Sequence, residues 1–171
     1  MENGPVSTIT MKKLILVRHG KSSWKEDLPD DERPLKKRAF KDADLVIKAF
    51  SGFKDDQMTL WSSYAVRALT TAKLFKKGLN IPDSRFEVKD ELYTFNGSQL
   101  LKVIESCKDD VETLMIFGHN PAMTSVVNRL GDQDFDNIPT TGLTMIEFET
   151  NSWKSLKNGK TLLYLFPKNL R

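Results

Sequence analysis

Two compact apolar runs, each broken at once by a polar turn holding a glycine and a histidine, constrain this chain more than any other feature. Lys13 to Val17 (KLILV) leads into Arg18-His19-Gly20, and Thr113 to Phe117 (TLMIF) leads into Gly118-His119-Asn120. Short runs of this kind suit strands covered on both faces, the situation in a parallel sheet with helices above and below. Such a sheet needs crossover helices, and the sequence supplies them. Leu35, Ala39, Ala43, Val46, Ile47 and Phe50 recur at helical spacing, with Pro34 near the start and Gly52 past the end. Met58 to Trp61 predicts another strand. Ser62 or Ser63 can then cap a helix carrying Ala65, Leu69, Ala72 and Phe75 on one side, which Gly78 can end.

Further along, Phe86 to Val88 predicts a third strand, and Ser98 a cap for a helix through Leu100, Leu101, Val103 and Ile104. After TLMIF, Asn120 suits an N-cap, Pro121 a first helical residue and Gly131 a stop, around a helix with Met123, Val126, Val127 and Leu130. Leu143 to Phe148 and Thr161 to Phe166 predict two last strands flanking Asn158-Gly159, a pair that favours a hairpin turn. The expected fold is α/β: three α/β/α layers, a mostly parallel sheet with right-handed crossovers, and a C-terminal antiparallel hairpin. A chain of 171 residues supports one substantial core, so residues 11–171 read as a single domain and 1–10 as a disordered extension.

Composition removes several classes. The net charge of +3 comes from 26 Lys and Arg against 23 Asp and Glu scattered along the chain, which suits an anionic ligand but not nucleic acid. No run is long and apolar enough to span a membrane, and the start lacks a secretory pattern, so a cytoplasmic protein is expected. Cys107, the lone cysteine, can form no intrachain disulfide and reads as a small buried hydrophobe. The acidic stretch Asp27 to Glu32 reads as a solvated loop, with selection of a basic partner surface as the alternative. Trp153, Tyr164 and Phe166 read as core.

In such a sheet ligands collect at the carboxyl ends of the strands. Three segments meet there: Arg18-His19-Gly20, Ser62 to Ala68 with Arg67, and Gly118-His119-Asn120. Two guanidiniums can fork onto phosphate oxygens and stay charged at any working pH, which assigns Arg18 and Arg67 to an anion. A neutral imidazole is a competent nucleophile near pH 7, so His19 would take the phosphoryl group and pass it to water. His119, at a helix N-terminus, would stabilise oxygens that gain charge. Singly, RHG fits an ordinary turn, His119 a satisfied core histidine and Arg67 an exposed helix residue. Together, at three strand ends and with no other histidine in the chain, they are specific.

LVRHG, the SxxxxRAxxTA pattern at Ser62 to Ala72 and the FGHN turn resemble the histidine phosphatase (phosphoglycerate mutase-like) superfamily. RHGKSSW, ERPLKKRA, DELY and FPKNL look most like its SixA-type phosphohistidine phosphatases. The resemblance spans nearly everything after Met11. It implies a phosphate pocket of Arg18, His19, Arg67 and His119 with His19 as nucleophile, no cofactor, and a phosphohistidine-bearing protein or small phosphorylated compound as substrate. The chain departs from the family at Ala39, where glycine is usual. It departs also at Thr94, where many members place a glutamate acid; Glu91, three residues upstream, is the alternative acid. A small-metabolite phosphomonoesterase is the nearest rival, and a non-catalytic phosphate-binding module is the rival of another class. The short stretches 20–35 and 131–143 leave room for few insertions over the pocket, which favours a macromolecular substrate. Both histidines are assigned to phosphate and no other cluster has metal-ligand spacing, so dialysis against a strong chelator should leave hydrolysis unchanged. A loss restored by magnesium or zinc would remove the pocket assignment.

Overall fold

The computed structural model describes residues 10–171. The expected extension lies outside them except for Thr10, whose N–H donates to Asn151 Oδ1 at 2.8 Å. Ten main elements follow: β1 (Met11–Arg18), α1 (Lys37–Phe50), β2 (Thr59–Ser62), α2 (Val66–Gly78), β3 (Phe86–Val88), α3 (Gly97–Glu105), β4 (Thr113–Gly118), α4 (Ala122–Leu130), β5 (Leu143–Glu149) and β6 (Lys160–Leu165). The sheet order is β3-β2-β4-β1-β5-β6. The pairs β3·β2, β2·β4 and β4·β1 are parallel, whereas β1·β5 and β5·β6 are antiparallel. No helix among the described residues is long and apolar enough to cross a membrane.

Successive side chains of a strand point to opposite faces, and this alternation divides the core in two. Ile15, Val17, Leu60, Met115 and Phe117 join Val46, Phe50, Ala72 and Phe75 of α1 and α2 on one face. Leu14, Leu16, Leu114 and Ile116 join Leu100, Ile104, Met123 and Val127 of α3 and α4 on the other. The fold is therefore the expected three-layer α/β/α, mostly parallel and closing antiparallel. Cys107 lies buried against the second cluster, and burial pushes its thiol up to about 12, out of reach as a nucleophile.

Several local expectations are corrected. Asn96, not Ser98, caps α3: its Oδ1 accepts from Gln99 N at 3.0 Å, and Ser98 falls inside the first turn. Neither Ser62 nor Ser63 caps α2, which starts after Ala65; Ser63 Oγ instead accepts from Ala65 N at 3.2 Å and faces His119. α4 begins one residue late, with Pro121 at the cap position, while Asn120 Oδ1 still accepts from Thr124 N at 3.1 Å. Residues 150–159, rather than a tight Asn158-Gly159 turn, join β5 to β6. Trp153 folds beneath the sheet there, fully buried, its indole N–H on Val111 O at 2.7 Å. Trp153 and Phe166 are core as expected; Tyr164, on edge strand β6, is 43% exposed.

Gly159 lets this connection close on α4, its N–H donating to Leu130 O at 3.1 Å. A Cβ there would lie 2.4 Å from that oxygen and 2.5 Å from Phe148 Cε1. Gly159→Ala should cost about 1–3 kcal/mol, as overpacking does. Urea unfolding checks it, and an unchanged midpoint would mean that the connection moves aside freely.

Candidate active site

Because β2, β4 and β1 are adjacent and parallel, their carboxyl ends open on one rim. The chain stays hydrogen-bonded as it leaves them: His19 N donates to Gly118 O and Ser63 N to Phe117 O, both at 3.1 Å. The His19 and His119 rings consequently lie 5.3 Å apart. Gly20 permits the approach of this turn to α1, since a Cβ would sit 2.9 Å from Ala39 Cβ and 3.1 Å from Leu35 Cδ2. Ala39, the residue that departs from the family pattern, is thus a packing partner of the turn.

The hydrogen bonds of His19 assign its tautomer. Nδ1 lies 2.7 Å from Gly20 O, a group that can only accept, so Nδ1 carries the proton. Nε2 keeps its lone pair and accepts from Arg67 Nε at 3.3 Å. Burial lowers the His19 imidazole to about 4; the Gly20 bond opposes this, and Arg67, Arg18 and Arg33 add to it. Burial likewise lowers His119 to about 3, with His19 and Arg67 contributing. Both rings are neutral across the physiological range. His119 Nε2 meets Ser63 Oγ at 2.9 Å, whereas its Nδ1 is buried without a partner, as is Arg18 Nε. Such unsatisfied polar atoms are completed by a bound anion at low cost.

Arg18 donates through Nη1 to Ile138 O at 2.8 Å. Arg67, 2% exposed, is held by Asp30: Nη2 lies 2.9 Å from Asp30 Oδ2, and Nη1 donates to the Asp30 carbonyl. Asp30 was expected in a solvated loop; it is instead a wall of the pocket. Tyr93 donates to its Oδ2 at 2.5 Å and Arg33 Nη2 lies 3.3 Å from Oδ1. Burial pushes the Asp30 carboxyl up, but the Tyr93 hydroxyl, Arg67 and Arg33 outweigh it and hold it at about 2. Arg33 is itself buried, with Nη1 on Ser22 Oγ at 2.6 Å and its guanidinium stacked 3.6 Å over the exposed ring of Trp24. Tyr93 and Phe95 pack on His119 at 5.3 and 5.5 Å.

Sequence reasoning found Arg18, His19, Arg67 and His119, which come together. It missed Asp30, Arg33 and Tyr93. One signal was available: a buried guanidinium demands a carboxylate, so placing Arg67 in a pocket called for an acidic partner. Glu91 is not brought in; it is exposed in the short turn Asp90–Leu92, and Thr94 Oγ1 accepts from Asn96 N at 3.2 Å. The cleft over His19, about 340 Å³, is lined by Arg18, Asp30, Arg33 and Arg67 together with Lys21, Lys36, Trp24 and Phe95. That is the small end of ligand sites, room for a phosphoryl group and one ring.

The family model described as histidine phosphatase superfamily (branch 1) matches residues 14–96, the span that carries Arg18, His19 and Arg67. Over that span the chain is similar to the histidine phosphatase superfamily. It is 26% identical over 157 residues to an uncharacterized chloroplastic protein of Arabidopsis thaliana, covering 86% of this chain and 72% of that one. It is 25% identical over 160 residues to an uncharacterized protein of Mycobacterium tuberculosis, covering 88% and 98%. Among solved structures, the protein histidine phosphatase SixA complexed with tungstate matches with a TM-score of 0.78 at 21% identity, over 93% of this chain and 99% of that one. At that identity the match speaks for the fold.

The lowered imidazoles carry a stability consequence. Their folded values, about 4 and 3, lie below the ordinary 6.5, so the unfolded chain binds protons first as pH falls. Stability contributed by the two neutral rings should be fully present above about pH 6.5 and decline below it, continuing toward pH 4. Imidazole NMR resonances of the native protein should not titrate above pH 5. A midpoint near 6.5 for either ring would contradict its burial.

Proposed function

We propose that this protein is a metal-independent phosphohistidine phosphatase that works through a phosphohistidine intermediate on His19. The observation that carries this reading is the orientation of His19, whose unprotonated Nε2 faces Arg67 while its Nδ1–H is fixed on Gly20 O. Nε2 attacks phosphorus. The bond to the leaving group breaks with its electron pair, and the transferred group stays between Arg18 and Arg67, with Arg33 on the same wall. His119, neutral and with one ring nitrogen free, offers a donor to the equatorial oxygens as charge builds. Water then attacks the phosphorus of the intermediate and His19 is regenerated. Water attack needs no metal-bound hydroxide here, because the departing imidazole is already a good leaving group once its ring is cationic.

The choice of phosphohistidine over an alkyl ester rests on proton supply. An alkoxide leaves poorly without an acid, and Glu91 stands outside the cleft. A phosphorylated imidazole can carry its own proton near neutral pH. The small cleft, lined by the exposed rings of Trp24 and Phe95 beside its charged groups, suits a side chain presented by a partner protein.

Rapid quenching with labelled phosphohistidine substrate should trap an acid-labile phosphoenzyme that His19→Ala does not form. Label on both proteins, or hydrolysis with none on wild type, would remove the covalent route. Arg67→Ala and His119→Ala should each lower turnover by about 10²–10³, the range for a lost transition-state donor, in folded protein. Alkyl phosphates turned over as readily as phosphohistidine would favour a metabolite phosphomonoesterase instead.

A further inference from the structure

A carboxylate is out of place in a pocket made for phosphate. Asp30 lines the same cleft as His19, Arg18 and Arg33, is ionised, and would repel the oxygens of the incoming group. Holding Arg67 accounts for Oδ2, on which Arg67 and Tyr93 converge, but not for Oδ1. The exposures differ as well: the Arg67 side chain is 2% exposed and that of Asp30 43%, so the carboxylate keeps a face toward the open cleft. A carboxylate has roughly four acceptor positions. Arg67 and Tyr93 share Oδ2, and Arg33 meets Oδ1 at 3.3 Å, which leaves Oδ1 capacity for one more donor.

We propose that Asp30 determines substrate specificity by accepting a hydrogen bond from the far ring N–H of a phosphorylated imidazole. The inference rests on the phosphohistidine reading above and adds the group that recognises the leaving ring. Arg67 spans the two sites, with Nε on His19 Nε2 and Nη2 on Asp30 Oδ2. Asp30 thus stands one guanidinium's reach from the attacking nitrogen, a distance that a phosphoryl group and the ring behind it can bridge. Trp24 and Phe95 line the same cleft.

The transfer balances without an outside acid. The His19 Nε2 lone pair forms the new N–P bond. The substrate's N–P bond breaks, and its electron pair stays on the departing ring nitrogen. The proton on the other ring nitrogen, hydrogen-bonded to Asp30, remains there throughout, so a cationic ring leaves as neutral imidazole. Asp30 stays ionised. The two exchanging rings are then held alike, each with its distal N–H on an oxygen: Gly20 O for His19 and Asp30 for the substrate. A leaving group that develops negative charge, such as a phenolate, gains nothing from the same carboxylate and is opposed by it.

The test compares kcat/KM for N-phosphoimidazole and for 4-nitrophenyl phosphate in wild type and in Asp30→Asn, which is isosteric and removes the charge. The ratio of the two should fall at least tenfold in the variant, because the loss on phosphoimidazole exceeds whatever both substrates lose through a loosened Arg67. Asp30→Ser, with a smaller neutral side chain, should shift the ratio in the same direction and guards against a folding defect of the first variant, as thermal melting reports. An equal loss on both substrates would make Asp30 a support for Arg67 only and overturn the inference while leaving the phosphohistidine reading intact. Wild type that hydrolyses the aryl ester but neither phosphoimidazole nor phosphohistidine would overturn both.

Discussion

The register between β1 and β4 is the constraint on which the site depends. Arg18 pairs with Gly118 in a parallel ladder, so the residues that follow, His19 and His119, leave the sheet side by side. A slip of one residue would send one imidazole to the opposite face. The register is held from both directions. Leu14, Leu16, Leu114 and Ile116 pack under α3 and α4, and Ile15, Val17, Met115 and Phe117 pack under α1 and α2, so a shifted pairing would have to repack both faces at once. The geometry of the pocket is therefore tied to the packing of the core.

The charges assembled on that frame serve two ends at once. Arg18, Arg33 and Arg67 prepare the cleft for an anion, and the same cations, together with burial, keep His19 unprotonated. On the proposed mechanism nucleophile and binding site are coupled in this way: the field that would attract phosphate also keeps the lone pair that would attack it. The negative charge of an arriving phosphoryl group would offset the guanidiniums and make an imidazolium on Nε2 tolerable. Arg18 itself is lowered, by burial first and then by the charge of Arg67. The single carboxylate of Asp30 relieves part of that repulsion.

Most of the fold and half of the pocket were legible in the residues. Apolar runs of five residues ending in a polar turn are hard to place anywhere except in a buried parallel strand, and the histidines inherit their position from them. The misplaced features share one physical character: they depend on contacts between segments distant in sequence. Ser98 looks as good a cap as Asn96 until the chain before the helix is positioned, and Asn158-Gly159 looks like a hairpin until Trp153 claims the space beneath the sheet. Asp30 was hidden among Asp27, Asp31 and Glu32 because nothing local separates it from a solvated acidic run. Arg67 and Tyr93, 37 and 63 residues away, do so.

The proton inventory of the cleft narrows its chemistry further. Asp30 sits at about 2 and has no proton to give at neutral pH, while Tyr93 is pushed up to about 12, by burial first and then by its bond to Asp30, and directs its hydrogen there. His19 and His119 are neutral, each with a single N–H, and that of His19 is committed to Gly20 O. Arginine does not release protons in this range. A phosphate ester of an ordinary alcohol would meet donors able to hold its oxygens, but no acid among Asp30, Tyr93, the two histidines and the arginines to protonate what departs; Lys21 and Lys36 are the other proton-bearing side chains that line the cleft. A phosphorylated imidazole brings its own proton and needs only that its cationic ring be tolerated among three guanidiniums, and Asp30 is the group in the cleft whose charge can provide that.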